Sequence, residues 1–227
     1  NFANPVRNRI RGYINPSGDR DYYSFDVEQD KMVLSLSLTP VNNVDLKLEI
    51  LNALGEKIYA LNSSVMDEGE IIPNLMLRKG RYYLAVSDLS NKRQNYLDAY
   101  TLKAAASELR LNWEYEPDDS FEQALSVSLN QSWNGYLAPG SDKDFYSLAV
   151  AEDRNLKLDV SGVPQIDFIL QVYDQERNLV IEVNEKGKGE GESAIISFTP
   201  GNYYVILKDA ENNNNSYESY LFSVFER

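Results

Sequence analysis

The 227-residue chain contains no cysteine and no histidine. The first absence excludes disulfides, so any reinforcement of the fold must come from packing or a bound metal. The second excludes a Ser-His-Asp triad, a Cys-His dyad, the usual zinc ligands and the common general base near neutral pH. A metal held by this chain would be a hard cation bound through oxygen. No apolar run approaches the roughly 18 residues that span a membrane, and no signal peptide is visible. The chain opens at Asn1 rather than at a methionine, the expectation for a mature or trimmed segment. Cations are also scarce, with 22 Lys and Arg against 35 Asp and Glu, a net charge of −13. Such a surface repels nucleic acid and anionic membranes and attracts cations or basic partners. Solubility alone is the plainer reading of the same number.

What is present is ordinary globular composition, 43% hydrophobic and 25% charged, arranged as a repeat. Gly12 to Val27 (GYINPSGDRDYYSFDV) overlies Gly135 to Val150 (GYLAPGSDKDFYSLAV) without a gap, and eight of the sixteen positions are identical. Val44 to Ile58 then overlies Ile166 to Val180, and Lys79 to Asp88 overlies Pro200 to Asp209. The offset drifts only from 123 to 121 across the three blocks, as short loop deletions would produce. The chain therefore reads as two domains, 1–107 and 116–227, joined by a short linker over 108–115. A unit of about 110 residues buries a core without crosslinks.

Each half reads as β. Leu34, Leu36 and Leu38 alternate with Ser35, Ser37 and Thr39, the period of two that marks a strand with one buried face. Leu46, Leu48 and Ile50 repeat the pattern, as do Tyr82, Leu84 and Val86. The second half keeps the phase at Leu156, Leu158 and Val160, at Phe168, Leu170 and Val172, and at Tyr203, Val205 and Leu207. Polar, Gly-bearing breaks at Asn52, Met66 and Lys186 separate the runs. Short strands with one buried face each predict an antiparallel β-sandwich. Asp119 to Ser126 is the one stretch that fits a turn or two of helix, capped by Ser120 with Gln123 three residues on. The Asn-rich loop from Glu211 reads as solvated and mobile.

The order of these blocks is similar to that of the bacterial pre-peptidase C-terminal domain family, whose relatives include the collagen-binding domains of clostridial collagenases. The second half carries the whole series: Glu116-Pro117-Asp118-Asp119-Ser120-Phe121, Gly135, Pro139, Asp142-Lys143-Asp144-Phe145-Tyr146 and Gly201-Asn202-Tyr203-Tyr204. The first half carries all but the acidic opening. The resemblance implies an all-β chain of two tandem antiparallel jelly-roll-like sandwich domains. It also implies a secreted or cell-surface, non-catalytic module attached to hydrolases or surface proteins, with calcium or insoluble polymer as ligands in some relatives.

Two readings of the paired acids stand. Glu114, Glu116 and Asp118 would point the same way in an extended stretch, and Asp119, Asp142 and Asp144 could join them if that stretch lies beside the Asp-x-Asp turn. That many carboxylates in one place repel one another unless a cation intervenes, and Ca²⁺ takes six to eight oxygens. In calcium-binding relatives the ligands come from this acidic stretch and this turn, and carried over they match these six residues. Asp118 stands where the family has Asn, which keeps an oxygen and adds charge. The other reading is that Asp142 and Asp19 only shape turns by bonding their own backbone. Asp19 and Asp21 of the first half lack the acidic stretch and make a poor site.

Adjacent tyrosines in a strand face opposite sides. Tyr83 and Tyr204 are outward by phase and are candidate ligand-binding residues, ordinary sheet-surface aromatics being the alternative. Trp113 reads as a wedge between the halves. The functional expectation is a calcium-stabilised accessory module that targets substrate or matrix or assists a secreted hydrolase. Its partners would be extracellular protein or polysaccharide, without nucleic acid or a membrane span, and the chain would be a monomer. The alternative is a freestanding carbohydrate-binding or adhesin-type surface protein. Catalysis is disfavoured, because acids two apart at a strand entry point together, whereas glycosidase acids face each other across about 5–9 Å.

Overall fold

A computed structural model describes residues 4–5, 9–62 and 66–227. The chain divides into two compact units, 1–109 and 110–227. The first contains β1 (Asn4–Pro5), β2 (Arg9–Ile14), β3 (Arg20–Val27), β4 (Met32–Leu38), β5 (Leu46–Leu51), β6 (Lys57–Leu61), β7 (Glu70–Leu77), β8 (Gly80–Asp88) and β9 (Asn95–Glu108). The second contains β10 (Leu125–Val127), β11 (Gln131–Gly135), β12 (Lys143–Val150), β13 (Arg154–Val160), β14 (Phe168–Tyr173), β15 (Leu179–Val183), β16 (Ser193–Phe198), β17 (Gly201–Asp209) and β18 (Tyr220–Glu226). Among the described residues there is no α-helix, hence none long and apolar enough to cross a membrane.

The fold is all-β, and each unit is a sandwich of two sheets. In the first unit a five-stranded sheet of order β1-β3-β8-β5-β6 faces a four-stranded sheet of order β2-β9-β4-β7. In the second the orders are β10-β12-β17-β14-β15 and β11-β18-β13-β16, the same path strand for strand. Pairing is antiparallel except at the entry edge, where β1 lies parallel to β3 and β10 parallel to β12.

The alternating residues do the packing. Leu34, Leu36 and Leu38 of β4 close the first core with Leu46, Leu48 and Ile50 of β5 and with Leu84 and Val86 of β8. Leu156, Leu158, Phe168, Leu170, Val205 and Leu207 do the same in the second. At roughly 1.5–3 kcal/mol for each large side chain removed from water, burial of this order is what offsets the chain entropy. The stretch expected to be helical makes only one hydrogen-bonded turn, with the Gln123 amide donating to Ser120 O at 3.0 Å and the Ser120 hydroxyl bonded to Gln123 Oε1 at 2.8 Å. Two residues after Gln123 the chain must already be extended as β10, which leaves no length for a second turn.

Candidate metal centre

The acidic stretch belongs to the second unit. Residues 112–114 run beside β11: the Asn134 amide donates to Asn112 O and the Glu114 amide donates to Asn134 O, both at 2.9 Å. Trp113 pairs with Asn134 across this bridge, its ring 5.7 Å from that of Tyr136 and the Arg110 guanidinium 5.0 Å above it. Its packing within the unit is thus with β11 and the chain just beyond it. Burial alternates along it: Glu114, Glu116 and Asp118 are buried, at 0%, 0% and 3% exposure, while Pro117 and Asp119 face solvent.

The turn before β12 supplies the rest. Ser141 takes a left-handed conformation (φ 69°), and the Asp142 amide closes the turn on Pro139 O at 3.1 Å. Asp142 Oδ2 accepts from the Ala138 amide at 2.6 Å and Oδ1 from the Lys143 amide at 2.8 Å. Asp142 therefore does shape its turn, and it is also 4% exposed beside the other acids. One oxygen each from Glu114, Glu116 and Asp144 lie within 4.8 Å of one another, and so do one each from Glu116, Asp119 and Asp142. Glu116 is common to both groups. Asp118 falls in neither, although it is buried beside them.

The polar bookkeeping of this cluster is unusual. Both carboxylate oxygens of Glu116, both of Asp118 and Oδ1 of Asp144 are buried without a hydrogen-bond partner. A buried carboxylate normally finds partners, because an unmade bond costs several kcal/mol for a charged group. Burial, followed by the field of the neighbouring acids, pushes the carboxyls of Glu116, Asp118, Asp142 and Asp144 well above the usual range. No lysine or arginine is paired with any of them among the described ion pairs. The cluster is built of hard oxygen donors, and these residues could hold a metal ion.

Residues with no acidic side chain complete the site, and the sequence pattern alone did not single them out. Tyr220, opening β18, donates to Asp144 Oδ2 at 2.5 Å, and its oxygen lies 2.5 Å from that of Tyr146. This bond takes up Asp144 Oδ2 and leaves Oδ1 as the oxygen buried without a hydrogen-bond partner. Gly135 is required here: a Cβ would sit 2.3 Å from the Tyr220 hydroxyl. The first unit repeats the arrangement, with Tyr100 donating to Asp21 Oδ2, Tyr23 and Tyr100 hydroxyls 2.5 Å apart, and Gly12 beneath. The signal was available, since Gly12 and Gly135 align and the last strand of each unit opens near a tyrosine. In the first unit Asp19 and Asp21 belong to no such cluster among the described residues.

The tyrosines fare differently. Tyr204 does point out of its sheet, but Phe121 packs edge-on against it at 4.9 Å and also against Phe145 at 5.1 Å and Tyr173 at 5.7 Å. The Arg177 guanidinium then covers Phe121 at 4.7 Å. Tyr204 is half-buried beneath the chain's own ring and is not the open platform that its phase alone implied. Tyr83, at the equivalent register of β8, is also half-buried, between Ser24 and Leu51 on the neighbouring strands.

Fold and residue pattern make this an all-β chain of pre-peptidase C-terminal-like character. It is collagenase-related: it is 24% identical over 212 residues to Collagenase ColA of Clostridium perfringens (strain 13 / Type A), a match that covers 89% of this chain. The chain spans about a fifth, 19%, of the length of that protein. Among solved structures, the pre-peptidase C-terminal domain of a Bacillus anthracis collagenase is similar at 23% identity and a TM-score of 0.39, covering 44% of this chain and 93% of that one. The PBSX exported protein XepA is similar at 13% identity and a TM-score of 0.32, covering 98% and 90%. No family model matches the chain.

Proposed function

We propose that the chain is a secreted, non-catalytic accessory module of two tandem pre-peptidase C-terminal-like domains. The second is stabilised by calcium, and the pair serves to target a hydrolase to its substrate or to matrix. The observation that carries the metal reading is the five buried carboxylate oxygens of Glu116, Asp118 and Asp144 without partners. Glu114, Glu116 and Asp144 would hold one ion, and Glu116, Asp119 and Asp142 a second, with Asp118 adding charge to the pair. Two divalent cations offset four of the six negative charges, whereas a single one leaves most of the repulsion in place. Carboxylates from one short stretch and one turn, three to each ion, suit the flexible coordination of Ca²⁺ better than the near-ideal octahedron that Mg²⁺ demands.

The matching strand orders of the two units support the tandem reading, and the collagenase similarity supports the accessory and secreted one. Carboxylates converging within 4.8 Å and almost wholly buried are suited to holding an ion rather than to flanking a scissile bond about 5–9 Å wide. Calcium titration of the metal-free chain tests the site. The expected result is two ions per chain, with affinities in the range of extracellular modules, roughly 10⁻⁴–10⁻³ M or tighter. Glu116→Gln should weaken both by more than about tenfold. Absence of calcium uptake at millimolar concentration ends the metal reading, and one full-affinity ion in Glu116→Gln ends the shared-ligand assignment.

A further inference from the structure

A second feature lies in the first unit. A cavity of about 240 Å³ opens at one corner of the sandwich, walled by Phe25, Met32, Leu77 and Ala106, with Asp26 and Glu28 among its lining. That volume is below the roughly 300–1,000 Å³ of sites for drug-sized ligands and suits a single side chain.

The second unit places different residues at the same register. Met32 pairs with Leu77 across β4 and β7, and Arg154 pairs with Phe198 at the same register of β13 and β16. Leu34 faces Ala106, and Leu156 faces Glu226. Where the first unit has leucine, methionine and alanine, the second thus has a phenylalanine, a guanidinium and a carboxylate. Arg154 pairs there with Glu226 at 2.5 Å and with Glu152. At this register the second unit sets an arginine opposite Phe198, with its guanidinium on two carboxylates.

The first unit retains apolar walls and acids at the mouth but has no cation of its own among the lining residues. Asp26 is matched by Arg81. Glu28 is exposed, and among the described residues no ion pair reaches it. The Phe25 ring, stacked on Tyr82 at 5.6 Å, adds an aromatic wall of the kind a guanidinium packs on. We propose that this corner receives the side chain of an arginine presented by a partner polypeptide, its stem against Met32 and Leu77 and its guanidinium at Glu28. The site lies in the first unit and needs no metal, so it can fail while the calcium reading stands, and the reverse.

Titration of the intact, isotope-labelled chain with blocked arginine, blocked citrulline and blocked norleucine, read by amide chemical shifts, tests it. Saturable shifts confined to the residues lining the cavity are expected with arginine in the millimolar range, with citrulline and norleucine weaker. Glu28→Gln should lower arginine affinity about two- to fivefold, the worth of one exposed ion pair, and leave norleucine unchanged. Leu77→Phe, which copies the second unit, should abolish the shifts, and Ala106→Leu at the exposed mouth offers the same block without touching the core. Citrulline binding as well as arginine, shifts spread over the acidic surface, or no saturation with any probe would each overturn the proposal.

Discussion

Two acids at equivalent strand ends show how a single carboxylate organises a loop. Asp88 ends β8 and is 1% exposed; it accepts from the Ser90 hydroxyl at 2.5 Å and from the amides of Lys92, Arg93 and Asp45 at 3.0, 3.2 and 3.3 Å. Asp209 ends β17 and accepts from the amides of Asp167, Glu211 and Asn213 at 2.6, 2.8 and 2.7 Å. Burial alone would raise the Asp88 carboxyl, but these donors outweigh it and hold it below the usual range. A carboxyl depressed in the folded state contributes stability that is present above the unfolded value, near 3.9, and is lost as pH falls through the folded one. Asp88→Asn should therefore destabilise the first unit by about 1–3 kcal/mol at pH 7, and the gap from the unsubstituted chain should narrow below about pH 4. Urea unfolding at pH 7 and pH 3 measures both; a gap that widens in acid would contradict the assignment. Tyr220 acts at the same scale. Tyr220→Phe removes the donor to Asp144 Oδ2 without changing shape, and should weaken calcium binding roughly 10–100-fold, as loss of an outer partner of a ligand does. Tyr100→Phe, in the unit without the acidic stretch, is the matched control and should leave calcium titration unchanged.

Elements were legible where the period of two was clean. The leucines of β4 and β5 and the matching residues of β13 and β14 announced their own burial, because one sheet face in each case is the core. Glu114, Glu116 and Asp118 are likewise buried at every second position, as their spacing announced. Phase could not reveal what covers the other face. Tyr204 points outward, yet Phe121 reaches it from outside the sheet, a contact between residues 83 apart in sequence that no local pattern encodes. The Asn-rich loop, read from composition as solvated, makes specific hydrogen bonds. Asn213 and Asn215 bond Asp209 and Pro164 O, and Asn215 Oδ1 caps the amides of Tyr217 and Glu218. Asparagine's capacity to replace backbone partners is the reason, and composition alone reports it as polarity. The tyrosine pair behind Asp144 was passed over for the opposite cause: Tyr146 and Tyr220 are apolar enough to read as core, and the aligned glycines hinted at a close approach without naming the carboxylate that their hydroxyls meet.

At the scale of the whole molecule, each unit closes its own core, and among the described residues the acids gather in the second. Both tryptophans, Trp113 and Trp133, lie in that unit. Trp113 sits on the acidic stretch itself, and Trp133 is buried in the second core on β11. Tryptophan emission is therefore a probe of the unit with the candidate site, while far-UV circular dichroism sums over the strands of both. A ligand bound only by the folded state stabilises by about 2.7 kcal/mol at a hundredfold excess over its dissociation constant. For a unit of this size that corresponds to a shift on the order of ten degrees. Thermal unfolding in calcium and in chelator should move the tryptophan-detected midpoint by that amount. The dichroism trace should contain a portion, the first unit's, that stays where it was. A tryptophan transition indifferent to calcium would remove the metal from the second unit, and a dichroism trace that shifts as one piece would show that its stabilisation is not confined there.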